Sequence, residues 1–228
     1  MICYRQRNQL VNSQPAKKMN PKREAKFQSV AQRRQHNFTV ILENVHDTHN
    51  IGAVLRTCDS VGIHEIFALH SRPQNNKLTL TLGKRTSGGT RKWVDVHFYH
   101  DLEACFEHVR SRYEKIYSTH LSDDAVSLYE MDLTGSVALL FGNEHIGVTP
   151  EALAKVDGNF LIPQVGMVQS LNISVACAVS LYEGFRQRDA KGLYDPESRD
   201  TAVDQQLMQE YRRRHEARER LKKVPRIK

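Results

Sequence analysis

The feature that most constrains the fold is a regular alternation of short β-rich runs with segments of helical spacing. "FTVILENV" from Phe38 is the first such run. It is followed by "HNIGAVLRTCDSVG" (49–62), where Ile51, Val54, Leu55, Cys58 and Gly62 recur at helical spacing and Arg56 falls on the opposite side. "EIFALH" and "WVDVHFY" read as further strands, and "DLEACFEHVRSRY" has helical spacing through Leu102, Cys105, Phe106 and Val109. "KIYSTH" and "SVALLFG" are strand-like again. "TPEALAKV" predicts a short helix with Thr149 as cap and Pro150 at its first position. "NFLIP" is a short strand, and "SLNISVACAVSLYEGFRQR" a long helix. This order predicts an α/β fold, a parallel sheet with helices on both faces. "VALLF", apolar throughout, is expected at its centre. In the long helix Leu171, Val175, Ala178, Val179 and Tyr182 form one stripe, while Ile173, Cys177 and Leu181 occupy other sides. Such a helix is expected to be buried on several faces, in a dimer interface or in the middle of a monomer.

The charge distribution adds a second constraint. Residues 1–37 hold nine Lys or Arg against one Glu, and residues 212–228 hold nine against two, leaving 15 basic and 23 acidic residues between them. A folded acidic body with basic arms points to a polyanionic partner, most commonly nucleic acid. Lys22 and Arg23, the Arg212, Arg213 and Arg214 run, and Lys84, Arg85, Arg91 and Lys92 around "TSGG" are the candidate phosphate contacts. Contacts of this kind give affinity and position without sequence choice. Four cysteines form no CxxC pair, no apolar run is long enough to span a bilayer, and the opening "MICYRQRNQL" is unlike a secretory signal; a cytoplasmic protein with no membrane association is expected. Residues 1–18 lack periodicity and are expected to form a disordered extension. Residues 19–37 then form a basic helical segment, 38–194 the main domain, and 195–228 a basic helical extension.

Three polar clusters interrupt the apolar pattern at expected carboxyl ends of strands, where open α/β sheets place ligands. They are "ENVHDTHN", leading to Arg56; "FGNEHIG"; and "IPQVGMVQSLN". Gly142 and Gly147 have P-loop spacing, but Val148–Thr149 stand where Lys–Ser/Thr is needed. No G-x-G-x-x-G follows the first strand and no G-x-S-x-G occurs. His46 and His49 lack companions for a zinc site, so no metal is expected. By residue type, Asn50 reads as an N-cap, Ser170 as the cap of the long helix with Asn172 just inside it, and Glu144 as an exposed turn residue or an orienting carboxylate. Asn50 stands six residues before Arg56, about 120° away on an ideal helix, so the two do not share a face.

"NVHDTHNIGAVLRTCDSVG", "LLFGNEHIGVTPE" and "IPQVGMVQSLNISVACAVSLYE" resemble, in order and spacing, the three signature motifs of the SPOUT superfamily in its SpoU (TrmH) branch. The resemblance runs from about Met19 to Tyr194. It implies a SPOUT fold with a deep trefoil knot in the C-terminal half, a homodimer, and S-adenosyl-L-methionine as cofactor. It also implies methylation of a ribose 2′-OH in tRNA, at guanosine 18; ribosomal RNA and a non-catalytic RNA-binding dimer are the competing readings. Matched position by position, the implied catalytic residues are Asn50, Arg56, Glu144, Ser170 and Asn172. Implied cofactor contacts, mainly through backbone, are Thr119, Gly142, Ile162, Met167 and Leu171.

Overall fold

The computed structural model describes residues 20–71, 89–196 and 201–216. Seven strands, β1 (Phe38–Glu43), β2 (Glu65–Leu69), β3 (Asp95–Tyr99), β4 (Lys115–Thr119), β5 (Val126–Ser127), β6 (Val137–Phe141) and β7 (Gly158–Leu161), form one sheet in the order β3-β2-β1-β6-β4-β7-β5. Every pairing is parallel. β1 and β6 lie side by side in the middle, and each is buried along its whole length. That is the environment a continuous Val/Ile/Leu/Phe run requires.

The helices are α1 (Pro21–Ala31), α2 (Thr48–Ser60), α3 (Leu102–Arg110), α4 (Pro150–Leu153), α5 (Ile173–Ala190) and α6 (Thr201–Glu216). α2 and α5 cover one sheet face, packing Val54, Leu55, Cys58, Cys177 and Leu181 against Phe38, Val40 and Leu139. α3 and α4 cover the other through Cys105, Val109 and Ala152 against Ile41, Phe67 and Leu140. Cys58, Cys105 and Cys177 are buried free thiols. α1 and α6 pack on each other around a separate small core of Phe27, Ala31, Tyr211 and Trp93. Among the described residues no helix is long and apolar enough to cross a membrane, and no group of three His, Cys, Asp or Glu side chains is placed to hold a metal.

Four local expectations need correction. α2 is capped by Asp47, whose carboxylate accepts from His49 N (2.8 Å), so Asn50 is inside the first turn rather than at the cap. Asn172, not Ser170, caps α5, accepting from Ser174 N (2.9 Å). Gly62 is not part of the α2 stripe: it has φ +86° just beyond the helix, and a Cβ there would lie 2.5 Å from the Arg33 carbonyl. In the single chain α5 buries Ile173, Cys177, Ser180, Leu181, Gly184 and Arg188 along one face and Glu183 beside it, while Val175 and Tyr182 of the anticipated stripe are exposed. A full apolar stripe and a buried one are therefore different stripes in the single chain.

At the amino ends of the strands, Glu65 is buried beside His97 (2.9 Å), Tyr113 (2.8 Å) and Arg112 (3.0 Å). Burial acts to raise its carboxyl, but His97, His64, Arg112 and Tyr113 outweigh it and hold it down at about 2. This paired cluster joins strands to α3 and lies at the opposite end of the sheet from the polar loops described next.

Candidate active site

The loops after β1, β6 and β7 meet at the carboxyl edge of the sheet centre. β1 ends in Glu43, fully buried, whose carboxylate accepts from Thr149 N (2.9 Å) and Thr149 Oγ1 (2.5 Å). Thr149 in turn caps α4. A buried carboxylate thus pins the far end of the 142–149 loop to β1, satisfying a charge that would be costly alone. Asn44 follows with φ +55°, the left-handed region that Asn tolerates. Its carbonyl accepts from Asn143 Nδ2 (2.8 Å), while Asn143 Oδ1 accepts from His145 N (2.9 Å). Asn143 and Gly147 exchange both backbone hydrogen bonds (2.8 and 2.9 Å), closing the loop into a tight ring. Gly142 sits against that ring so closely that a Cβ would fall 2.3 Å from the Gly147 carbonyl carbon and the Val148 nitrogen.

This framework brings three anticipated residues together. Asn50 Nδ2 donates to Glu144 Oε1 (2.5 Å), Asn172 Nδ2 donates to the same oxygen (3.1 Å), and Asn172 Nδ2 also reaches Asn50 Oδ1 (3.3 Å). One exposed carboxylate therefore orients two amides, one from the first turn of α2 and one from the cap of α5. Arg56 is exposed on α2, six residues beyond Asn50 and about 9 Å further along the axis. Ser170 is exposed in the loop before α5 and has no contact with this trio among the described hydrogen bonds.

Of the anticipated cofactor positions, Thr119 ends β4 with its hydroxyl 3.4 Å from the Leu140 carbonyl; Ile162 follows β7 directly. Ile162 and Leu171 are half-buried, whereas Met167 and Val165 are fully exposed and Val168 largely so. Gly142 directly follows β6 and is half-buried against the Gly147–Val148 backbone.

Among the basic residues, Lys22, Arg23 and Lys92 are exposed. Arg212 is paired with Glu24, and Arg213 with Glu210. Arg214 is largely buried, forking onto the Asp95 carboxylate (2.7 and 3.0 Å) and onto Glu210 (2.7 Å). Two of the three residues of that run therefore hold α6 in place. Lys84, Arg85 and the Arg91 side chain, like the 1–18 extension, lie outside the described residues. Residues that organise the site but carried no signal by type are Glu43, Asn44 and Asn143, whereas Thr149 was expected only as a helix cap. Only the strand-terminal "EN" and the "FGN" turn, each with Asn at a chain reversal, hinted at them.

A family model described as "SpoU rRNA Methylase family" matches residues 37–182, the span that carries all three loops. The chain belongs to the SpoU rRNA methylase family. A SpoU-family relative in Thermus thermophilus, named tRNA (guanosine(18)-2′-O)-methyltransferase, is 44% identical over 192 residues, covering 84% of this chain and 96% of that protein. The crystal structure of the Aquifex aeolicus TrmH/SpoU tRNA modifying enzyme superposes with a TM-score of 0.73 at 33% identity, covering 83% of this chain and 94% of that one. An rRNA methyltransferase from Sinorhizobium meliloti, crystallised with AdoMet bound, has a TM-score of 0.58 at 26% identity over 69% of this chain and 59% of its own. Within the SpoU family, then, the Asn50–Glu144–Asn172 trio is built from the three loops whose motifs carried the resemblance.

Proposed function

We propose that this chain transfers a methyl group from S-adenosyl-L-methionine to the ribose 2′-OH of guanosine 18 in tRNA. The observation that carries the proposal is the convergence of Asn50, Glu144 and Asn172 at the carboxyl edge of the sheet, on the loops shared with relatives named for that reaction. The donor set suits the cofactor. Ile162 and Leu171 would give half-buried apolar flanks for a purine, and Gly142 lets the loop after β6 fold tightly beside them because the Gly147–Val148 backbone fills the space of its missing Cβ. When bound there, the cofactor supplies an electrophilic methyl group.

The chain's own residues then have three tasks. Arg56 holds the 2′-hydroxyl and the adjacent phosphate, because a guanidinium fork matches phosphate oxygens. A guanidinium is a poor proton acceptor, so Arg56 acts by positioning and polarising the hydroxyl rather than by taking its proton. Asn50 and Asn172, locked by Glu144, present fixed amide dipoles to the ribose, and Ser170 adds a hydroxyl at the open side of the same loop. With the cofactor held there, these residues would keep the 2′ oxygen in line with its methyl group, and water at the exposed mouth of the site would take the hydroxyl proton. Holding both reactants in line lowers the barrier, since well-oriented groups can remove about 7–11 kcal/mol of it.

Four features complete the reading. The β6 and β7 strands insert between strands laid down earlier, β6 between β1 and β4 and β7 between β4 and β5. That order supports a deep trefoil knot in the C-terminal half. The exposed apolar residues Val165, Met167, Val168, Val175 and Tyr182 support a homodimer that covers them. Light scattering should return a dimer mass, and a clean monomer overturns this assembly. The exposed Lys22, Arg23, Lys92 and Arg213, with Lys84, Arg85 and Arg91, supply the positive surface for tRNA in the cytoplasm, while Arg212 and Arg214 serve to hold α6 in place.

The decisive test is mass spectrometry of tRNA and ribosomal RNA after incubation with the protein and S-adenosyl-L-methionine. A 2′-O-methylguanosine at position 18 of tRNA is expected. Methylation confined to ribosomal RNA, or none on either, overturns the proposal.

A further inference from the structure

Arg34 has no solvent exposure and sits where four elements meet. Its Nε donates to Tyr211 Oη on α6 (2.7 Å), and Nη1 donates to the carbonyl of Ile63, just beyond α2 (2.9 Å). Nη2 pairs with the Asp59 carboxylate on α2 and reaches the Trp93 carbonyl before β3 (3.3 Å). Asp59 stands three residues after Arg56, close to one turn along the same helix. The guanidinium therefore grips the helix carrying Asn50 and Arg56 with one side and the C-terminal basic helix with the other.

Elsewhere among the described residues Arg214 also ties α6 to the main domain, reaching the Asp95 carboxylate (2.7 Å) and the Lys92 carbonyl (3.0 Å). The core of the α1–α6 pair is a small cluster of Phe27, Trp93 and Tyr211 rings, 5.4 to 6.1 Å apart. Apolar contact of this kind is non-directional and sets no register. A planar fork with five donors in fixed directions does. Arg214 on Asp95 is a second anchor, but it ties α6 to β3, at the sheet edge, rather than to α2. Burial pushes the Tyr211 phenol upward, so it stays a neutral partner able to accept from Arg34 at any working pH.

We propose that Arg34 is a positioning residue: by coupling Tyr211 of α6 to Asp59 of α2, it holds the basic terminal helices in register with Arg56, so that an RNA gripped by the arms is delivered with its 2′-hydroxyl in line. The inference rests on the methyltransferase reading of the site. Its consequence is a separation of binding from turnover. Loosening the latch leaves the phosphate-binding charges in place but lets the bound RNA sit out of line, and misplacement of about 1 Å costs on the order of 100-fold in rate.

The test uses Tyr211→Phe, which keeps the ring in its aromatic cluster and removes only the phenol oxygen. Arg34→Lys is the second variant, since an ammonium keeps the charge but cannot span both partners. With full-length tRNA, kcat is expected to fall about 10- to 100-fold in both variants, while KM and the dissociation constant for S-adenosyl-L-methionine stay close to the parent. With a short stem-loop carrying the target guanosine, too small to reach the arms, both variants should match the parent. Amide hydrogen exchange in α6 should accelerate in both, with β1 and β6 unchanged. Unaltered kcat on tRNA, or an equal loss on tRNA and stem-loop, overturns the proposal. If the parent protein methylates neither RNA, the functional reading fails separately, and exchange decides the latch: faster α6 exchange supports it and unchanged exchange overturns it.

Discussion

Replacing Arg56 by alanine should reduce kcat for tRNA methylation about a thousandfold, the upper end for loss of one preorganised donor, while S-adenosyl-L-methionine binding stays near the parent value. The separation is expected because Arg56 is exposed on α2, outside the loops after β4, β6 and β7 assigned to the cofactor. Ala is a better helix former than Arg and removing an exposed side chain leaves no cavity, so α2 should stay folded. Arg56→Lys should recover only part of the loss, since a point charge keeps the attraction to phosphate without the fork. Single-turnover kinetics paired with calorimetric titration of the cofactor check both halves. Turnover within a few fold of the parent would sink the assignment of Arg56.

The second large effect is expected at Gly142. In Gly142→Ala the new methyl group meets backbone on every near side: the Gly147 carbonyl carbon and oxygen and the Val148 nitrogen, all within 2.4 Å. No side-chain end is available to move aside. The ring closed by Asn143 and Gly147 must open or shift, and overpacking of this kind costs about 1–3 kcal/mol. Because Glu144 belongs to that ring, its bonds to Asn50 and Asn172 should go with it. A lowered thermal midpoint and loss of calorimetric cofactor binding are expected together. Gly166→Ala, with nothing within 4 Å of its Cβ, is the matched control and should be neutral for stability. A Gly142→Ala protein with parental stability and cofactor affinity would refute the tight-loop account.

Much of this molecule was legible before its tertiary structure. Strands and helices respond to local periodicity, and the fully apolar "VALLF" could hardly be anything but a strand covered on both faces. The caps were less legible. Asp47, Asn50, Ser170 and Asn172 are all competent N-cap residues, so type alone does not say which of two neighbours starts the helix; α2 chose Asp47 and α5 chose Asn172. Charge was least legible. Arg34, Arg212 and Arg214 look like members of basic arms, yet a guanidinium turns inward wherever a carboxylate and carbonyls are arranged to meet it, as Asp59, Glu24 and Asp95 are.

The chain by itself determined the element order, the parallel α/β class and the three polar loops, because propensity and periodicity act over neighbouring residues. Only the tertiary structure decided what those loops build. Asn50 and Glu144 are 94 residues apart and Asn50 and Asn172 are 122 apart, and no local rule couples them. They meet because β6 takes its place beside β1, bringing the loop after β6 over the first turn of α2, with Glu43 and Asn143 fastening the two together. The same packing decides which apolar side of α5 faces the sheet and which is left for another surface to cover, since both sides are equally apolar and only one can face the core.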